Sequence, residues 1–313
     1  MSNRGVISAF RCVGPERFVR ERSREDMDDR ESPGGPGPTP DVEEAFSLLA
    51  DETRLSILQE LYAEDDPLSF SRLRERVGMR DSGQFNYHLG KLKGRFVTQT
   101  DDGYELTMSG LRVLGAVYAG SYDEVTIDPI PIDDPCPLCE GPLSAVYDRD
   151  HFEITCGDCE TQILANPAPP GILRGREREE LPTIFSRYTR HVLAQITDGF
   201  CPFCLGPTDI ELDVEKVPGI GATHRCRHCG VEMTMATGAS LLQVSEVVAF
   251  ALEHGIDVRE VPLWSQNAVF GADERLIEDE DDPAAIEVEI TLDDDTLLVR
   301  LDDALQVVET TRS

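Results

Sequence analysis

Residues 69–95 read Ser-Phe-Ser-Arg-Leu-Arg-Glu-Arg-Val-Gly-Met-Arg-Asp-Ser-Gly-Gln-Phe-Asn-Tyr-His-Leu-Gly-Lys-Leu-Lys-Gly-Arg, and this stretch decides how we interpret the fold. Its pattern predicts two short helices joined by a tight turn. In the first helix Phe70, Leu73 and Val77 recur at helical spacing and form one apolar stripe. The second helix begins at Asp81, whose carboxylate can accept hydrogen bonds from the free N–H groups of the first turn. Two short helices in this order are typical of a helix-turn-helix that reads DNA.

The second helix has two different faces. Phe85, Leu89 and Leu92 share the apolar face. Glycine is frequent on the opposite face, although each glycine in a helix costs about 0.5–1 kcal/mol relative to alanine. Close approach to another surface would explain that choice. The outward face consists of Gly83, Asn86, Tyr87, Gly90, Lys91 and Gly94, flanked by Gln84 and His88.

Basic residues are concentrated in this stretch. Between Arg72 and Arg95 there are seven Lys or Arg against two acids, in a chain whose net charge is −31. Polar and basic side chains on an exposed helix are those that reach base edges and phosphates in duplex DNA. The alternative is a solvated basic face on a small helical domain. The candidate DNA-binding residues are Arg72, Arg80, Ser82, Gln84, Asn86, Tyr87, His88, Lys91, Lys93 and Arg95.

The composition limits the class of protein. Of 313 residues, 60 are acidic and 29 basic, and lysine occurs only three times. This acidic, lysine-poor composition resembles that of cytoplasmic proteins from salt-accumulating archaea. No run of 18 apolar residues is present, and the opening of the chain lacks the apolar segment of a secretory signal. We therefore expect a cytoplasmic protein of haloarchaeal type that has no membrane partner.

The N-terminal part divides at a Pro-Gly-rich segment. Residues 1–40 are predicted to be a disordered arm, and the acidic bias that begins at Met27 makes this residue a candidate native start. Residues 41–120 are predicted to form a winged helix-turn-helix DNA-binding domain. Its wing is the hairpin 97–105, which turns at Asp-Asp-Gly, and its closing helix is 107–120.

The order of these elements, with Ala-Asp-Glu-Thr-Arg-Leu-Ser-Ile-Leu at 50–58, resembles the ArsR-type winged-helix repressors. The resemblance covers about residues 41–120. It implies a DNA-binding regulator, usually a homodimer, with recognition helix 82–91 and dimerisation through the closing helix. This sequence departs from the metal-sensing members, because neither 69–77 nor 107–120 contains Cys or His. Metal sensing of that kind is not expected.

Eight cysteines in the C-terminal half form four Cys-x-x-Cys pairs. Two turns that each present two thiolates complete a tetrahedral shell for one zinc ion, and the intervening residues can form the hairpin of a zinc ribbon. Cys-Pro-x-Cys-x-Gly-Pro occurs at 136–142 and again at 201–207, which indicates a duplicated unit. The predicted ligands of two structural Zn²⁺ ions are Cys136, Cys139, Cys156 and Cys159 in the first site and Cys201, Cys204, Cys226 and Cys229 in the second.

Other interpretations of the cysteines are disulfides, redox chemistry and catalytic zinc. Disulfides do not suit a cytosolic chain, and a redox pair would not need four copies. Catalytic zinc keeps an open coordination position, whereas these residues supply two closed shells. His151, His224 and His228 are expected to be hairpin residues and not ligands. Interleaved sites, with ligands exchanged between the two units, remain an alternative pairing.

The predicted fold class is α+β, an N-terminal winged helix-turn-helix followed by two zinc-ribbon-plus-helix units and a C-terminal β-hairpin. The first helix after a ribbon is predicted at 181–197. The second is predicted at 240–254, capped by Ser240. A strand is predicted at 258–264, before the hairpin at 286–301. The domain boundaries are a linker over 121–135, ribbon one with its helix over 136–200, ribbon two with its helix over 201–256, and an acidic β-rich segment over 257–313.

Taken whole, the chain resembles multidomain winged-helix regulators of salt-loving archaea that carry a zinc-ribbon C-terminal region. The expected function is sequence-specific DNA binding in transcription regulation, with a C-terminal region that binds an effector or partner. The alternative is a general transcription accessory factor that docks on RNA polymerase or basal factors, since the arrangement also resembles archaeal transcription factor E. No catalytic motif is present, so an enzyme is not expected.

Overall fold

The computed structural model describes residues 11–12, 42–213, 220–265, 273–277 and 285–313. The chain forms two compact units. Residues 20–123 make the N-terminal unit, and residues 1–19 together with 124–313 make the C-terminal unit. None of the helices in the described ranges combines the length and apolar composition needed to cross a lipid bilayer.

The first strand, β1 (Arg11–Cys12), belongs to the C-terminal unit and pairs antiparallel with residues 233–234. The prediction of a disordered arm over 1–40 is wrong at these two positions, because their backbone groups take part in a sheet. The rest of that range, including the candidate start at Met27, lies outside the described residues.

The N-terminal unit contains the helices and the hairpin that the sequence predicted. Its closing helix follows the hairpin directly. Side chains cap the two central helices, since Ser69 accepts from the N–H of Arg72, and Asp81 accepts from the N–H groups of Gly83 and Gln84. The elements are α1 (Val42–Leu49), α2 (Glu52–Tyr62), α3 (Phe70–Arg76), α4 (Ser82–Leu92), β2 (Val97–Gln99), β3 (Tyr104–Leu106) and α5 (Met108–Tyr118).

The core of this unit lies under α3 and α4. Leu73, Phe85 and Leu92 are fully buried, and the ring of Phe70 meets that of Phe85 edge to face at 5.1 Å. Gly110 of α5 lies against the backbone immediately before β2, because a Cβ there would be 2.4 Å from the carbonyl oxygen of Phe96. The apolar face of α4 is therefore fixed inward and its polar face outward.

The first sheet of the C-terminal unit has the order β4-β5-β6-β7 and is antiparallel. Its strands are β4 (Thr126–Pro135), β5 (Pro142–Asp148), β6 (His151–Cys156) and β7 (Gln162–Pro167), and helix α6 (Leu181–Thr197) follows. The prediction of a linker over 121–135 is wrong from Thr126 onward. Prolines are tolerated on an edge strand, where their missing N–H groups face away from the neighbour, and Ile130 is buried.

The second sheet has the order β1-β10-β9-β8. Its further strands are β8 (Thr208–Asp213), β9 (Gly221–Cys226) and β10 (Glu232–Ala236). The predicted helix over 240–254 is corrected to a 3-10 helix (Thr237–Gln243) and helix α7 (Ser245–Glu253). Ser240 does not cap a helix, because its hydroxyl donates to the carbonyl of Thr237.

The third sheet contains the predicted C-terminal hairpin and two further strands. Residues 258–264, predicted to be a strand, form turns and the start of a 3-10 helix (Leu263–Ser265). Pro262 has no N–H for a ladder, which suits a turn better than a strand. The order is β11-β12-β13-β14, with β11 (Asp273–Leu276), β12 (Ile286–Leu292), β13 (Asp295–Leu301) and β14 (Val307–Arg312).

One hydrophobic core joins the parts of the C-terminal unit that the sequence divided into three domains. It contains residues from both ribbons, both helices and the third sheet. Phe152 of β6 stacks on Phe185 of α6, with ring centroids 4.4 Å apart. Trp264 is buried, and its Nε1 donates to Asp134 Oδ2 of β4 at 2.7 Å. The duplicated units therefore pack as one body.

Replacing Asp134 with alanine should lower the free energy of unfolding of the C-terminal unit by about 1–3 kcal/mol, because the buried indole N–H loses its acceptor. Circular dichroism during denaturation, at constant metal concentration, would measure this change. Trp264→Phe is the matched control. The double variant should be little less stable than Trp264→Phe alone, and additive losses would contradict the coupling.

Candidate metal centres and nucleic-acid interface

The eight cysteines of the C-terminal half form two compact groups, one in each ribbon. In the first group, Sγ of Cys136 lies 3.9 Å from that of Cys159, and Sγ of Cys139 lies 3.4 Å from that of Cys156. In the second group, Cys201 to Cys229 is 3.6 Å and Cys204 to Cys226 is 3.5 Å. Within each group the four sulfur atoms all lie within 4.8 Å of one another.

These distances suit metal coordination and not disulfide bonds. A disulfide would bring two sulfurs to about 2.05 Å, whereas all eight cysteines are free. Four thiolates at about 2.3 Å from one tetrahedral ion would be about 3.8 Å apart. Each group could therefore hold one metal ion. The alternative of interleaved ligands is excluded, since each group is drawn from a single ribbon.

Each Cys-x-x-Cys pair forms a tight turn, which we call a knuckle. The residue after the second cysteine is left-handed in all four knuckles, with φ of 62° at Glu140, 55° at Glu160, 60° at Leu205 and 73° at Gly230. This conformation reverses the chain so that both sulfurs point to the same side. These four positions could not be recognised from the sequence, because only Gly230 has the residue type that normally marks a left-handed turn.

Backbone N–H groups in the knuckles point at the sulfurs. Leu138 donates to Cys136 Sγ at 3.4 Å, and His228 donates to Cys226 Sγ at 3.3 Å. Such donors stabilise the ionised thiolate, which is the form that binds metal. Contacts with the hydroxyl and then the backbone N–H of Thr161 lower the pKa of Cys159 to about 6. Burial acts in the opposite direction at Cys136 and Cys201 and raises their pKa values.

The three histidines near the cysteines lie outside both groups. His151 contacts Asp150, with Nδ1 2.7 Å from Oδ1. His224 is fully buried, and neither ring nitrogen has a hydrogen-bond partner among the described residues. Burial lowers the pKa of His224 to about 4, so the ring is neutral near pH 7. The described metal groups consist of cysteines alone.

Gly206 lies where one knuckle of the second group packs closely on the other. A Cβ at this position would lie 2.7 Å from Cβ of His228 and 3.2 and 3.3 Å from the sulfurs of Cys226 and Cys204. Glycine is therefore required where one knuckle packs on the other.

Gly206→Ala should lower the metal affinity of the second group about 10–100-fold. The added methyl group would not be a ligand itself, but it would push the sulfurs of Cys226 and Cys204 out of position. Competition with a chromophoric chelator would measure the loss. Gly157→Ala is the matched control in the first group, since its Cβ would meet Pro142 Cγ at an ordinary 3.5 Å. Equal losses in the two variants would contradict the argument.

The polar face of α4 is exposed, as its periodicity predicted. Ser82, Gln84, Asn86 and Lys91 are exposed, and 61% of Tyr87 is accessible. Lys91 Nζ lies 5.7 Å from the centre of the Tyr87 ring. Asn86, Tyr87 and Lys91 thus form one outward surface that could contact a ligand without rearrangement.

The other predicted DNA-binding residues differ in whether their side chains already have partners within the unit. Arg80 is exposed. Lys93 Nζ donates to Gln99 Oε1 of β2 at 2.7 Å, and Arg72 Nη2 lies 3.5 Å from Glu64 Oε2. These two basic side chains remain at the surface but already have partners within the unit.

His88 and Arg95, two of the predicted DNA-binding residues, contact acidic side chains in or next to the first two helices. The side chain of His88 is only 15% exposed, and its Nδ1 lies 3.3 Å from Oδ1 of Asp51, the residue that caps α2. Arg95 Nη2 donates to Glu44 Oε2 of α1 at 3.3 Å. These contacts favour a role for His88 and Arg95 in packing α4 against its neighbours.

Comparisons with known proteins describe the chain in two parts. A family model described as a domain of unknown function, DUF7351, matches residues 133–307, which is more than half of the chain. Another domain of unknown function, DUF7347, matches residues 42–117. No curated protein matches the sequence.

A search of solved structures finds a protein from Rhodococcus sp. assigned to the IclR family of transcriptional regulators. The identity is 12%, the alignment covers 75% of this chain and 98% of that one, and the TM-score is 0.19. This score is too low to support an argument about fold or function.

Proposed function

The chain belongs to the family described as domain of unknown function DUF7351, and from its own geometry we propose that it is a cytoplasmic, sequence-specific DNA-binding regulator of transcription. One observation carries the proposal. A strongly acidic chain of net charge −31 presents, on α4, an outward surface of Asn86, Tyr87 and Lys91 that no described contact within the chain covers. Amide and ammonium groups on an exposed helix suit the base edges of the major groove.

In this proposal α3 and α4 act as a helix-turn-helix, β2 and β3 as the wing, and α5 as the closing helix, in the ArsR-type arrangement. Asn86 and Gln84 would contact adenine, and Lys91 would contact guanine or phosphate. Arg80 and Lys93 would hold phosphates on either side of α4. Arg72 would have to exchange Glu64 for phosphate, so its contribution is expected to be smaller.

We further propose that each cysteine group holds one structural Zn²⁺. Four thiolates in a closed tetrahedral set favour zinc over ions that prefer oxygen ligands. When bound, zinc would supply the cross-link between the two knuckles of each ribbon. The chain's own N–H donors and left-handed turns orient the sulfurs for it.

The apolar stripe on α5 supports a homodimer. Met108 is 65% exposed, Leu111 39% and Tyr118 44%, and these three residues recur at helical spacing. An exposed apolar stripe of this kind indicates an interface. A second copy is the proposed partner, because a dimer places two α4 helices on two half-sites.

Leu111→Glu should convert the dimer to a monomer and weaken binding to a two-half-site DNA by at least about tenfold, since the second half-site contact is lost. Light scattering after size-exclusion chromatography would measure the mass. Ser109→Glu, at another exposed position of α5, is the matched control, because it adds the same single negative charge. An unchanged mass for Leu111→Glu would locate the dimer interface elsewhere.

The function is tested by genome-wide DNA occupancy of the tagged chain in its own host, beside the Asn86→Ala, Tyr87→Ala, Lys91→Ala variant. Discrete peaks that share a palindromic motif, and that disappear in the variant, are expected. Broad occupancy of promoters that is indifferent to the three changes would reject a sequence-specific regulator.

That second result would favour the alternative, a transcription accessory factor that docks on RNA polymerase or basal factors. One observation supports it. Phe200, Phe203 and Leu205, around the first knuckle of the second group, are 52%, 55% and 48% exposed. Exposed aromatic side chains in so short a segment are typical of protein contacts.

A further inference from the structure

The two cysteine groups differ in their access to solvent. In the first group Cys139 and Cys159 are exposed, while Cys136 and Cys156 are buried. In the second group Cys201 and Cys226 are buried, and the other two cysteines are only half-exposed. A molecule in solution can therefore reach sulfur more easily in the first group.

The backbone explains part of this difference. In the second group Gly206 lies directly over two sulfurs, since even a methyl group there would be within 3.3 Å of both. The equivalent residue of the first group, Gly141, faces the side chain of Asp158 instead, and no sulfur is among its nearest atoms. The first group thus lacks the backbone cover that the second has.

In the first group the sulfur of each exposed cysteine lies beside that of a buried cysteine in the opposite knuckle. Cys139 lies 3.4 Å from Cys156, and Cys159 lies 3.9 Å from Cys136. A disulfide needs about 2.05 Å between the sulfurs. Once metal no longer holds the sulfurs apart, a small displacement would join either pair.

We propose that the first cysteine group is an oxidation site for hydroperoxides, and that the second group is the protected, purely structural one. The inference rests on the proposed zinc, because metal-bound thiolates are the form that reacts. Oxidation of metal-bound thiolates increases with their exposure, and the two exposed cysteines, Cys139 and Cys159, are both in the first group. Its release of metal would loosen the end of β4 next to Asp134.

The chemistry balances with the peroxide as the only oxidant. The thiolate of Cys139 attacks one oxygen of hydrogen peroxide, the O–O bond breaks, and a sulfenic acid and hydroxide form. The thiolate of Cys156 then attacks that sulfur, forms the S–S bond and expels a second hydroxide. Two electrons pass from the two sulfurs to the peroxide, and two of the four thiolates would no longer be available to hold a metal ion. Cys159 and Cys136 can react in the same way.

The test uses the full-length chain loaded with zinc and freed of excess metal. Released zinc is followed with a chromophoric chelator during hydrogen peroxide treatment, and disulfides are then mapped by peptide mass spectrometry. The first equivalent of zinc should leave at least about tenfold faster than the second. The early disulfides should join Cys139 to Cys156 or Cys136 to Cys159, and a reductant with added zinc should reverse the change.

Trp264 fluorescence supplies a readout independent of zinc. Because its indole donates to Asp134, two residues before Cys136, the emission should change with the first equivalent of released zinc and before the second. Equal release rates from both groups, or earlier oxidation of Cys204 and Cys229, would overturn the inference. A chain that binds no zinc before peroxide is added would instead refute the proposed metal centres, so the two failures are distinguishable.

Discussion

Replacing Asn86, Tyr87 and Lys91 together with alanine should lower the affinity for operator DNA by about 10²–10⁶-fold. Each specific side-chain contact to a base is worth about 1–3 kcal/mol, and every 1.4 kcal/mol is about tenfold. The three side chains lie on the exposed face of α4, so their removal should leave the core of Phe85, Leu89 and Leu92 intact. A fluorescence-anisotropy titration at fixed salt would measure the loss.

His88→Ala and Arg95→Ala provide the comparison within the same domain. Their side chains contact Asp51 and Glu44, so we expect each to change the DNA affinity by less than about threefold while lowering stability slightly. The proposed interface would be wrong if either single change abolished binding while the triple variant still bound.

Removing the metal should unfold the C-terminal unit. The binding free energy of a structural zinc site is about 10–16 kcal/mol. This is comparable to the whole free energy of unfolding of a typical domain, about 5–15 kcal/mol. Elemental analysis should find two zinc ions per chain before a strong chelator is added. On chelation the emission of Trp264 should shift to longer wavelength, because this only tryptophan becomes exposed to water.

Single substitutions separate the two sites. Cys136→Ser and Cys201→Ser should each reduce the zinc content by one. The N-terminal unit has its own core and none of the eight ligands, so its helical circular dichroism should persist after chelation. The part of the helical signal that comes from α6 and α7 should disappear with the tryptophan shift, but loss of the whole signal would show that the two units do not fold independently.

Local sequence patterns were sufficient to predict those features that depend on contacts between residues close together in the sequence. The periodicity of Phe85, Leu89 and Leu92 predicted which face of α4 is exposed. Ser69 and Asp81 predicted the starts of α3 and α4, because a cap acts within three residues. The Cys-x-x-Cys spacing predicted both cysteine groups, since each knuckle is built from consecutive residues.

Contacts between distant residues could not be predicted in this way. Strand β4 was taken for a linker, because Pro129, Pro131 and Pro135 mask a strand that is defined only by its partner β5. The side chain of Arg95 donates a hydrogen bond to Glu44, which lies 51 positions earlier in the chain. The two ribbons share a core of aromatic and apolar side chains. These side chains pack against residues that are too far away in the sequence to fall within one local pattern.

The hydrogen bond between Trp264 and Asp134 joins residues 130 positions apart. During synthesis, the N-terminal unit can therefore fold before this bond of the C-terminal unit can form. The core of the N-terminal unit is made within residues 57–114, and it can form as soon as that segment leaves the ribosome. At about 5–20 residues per second, translation of the remainder takes on the order of ten seconds or more. Until residue 264 has been translated Asp134 lacks its indole partner, whereas α4 is already folded on the nascent chain.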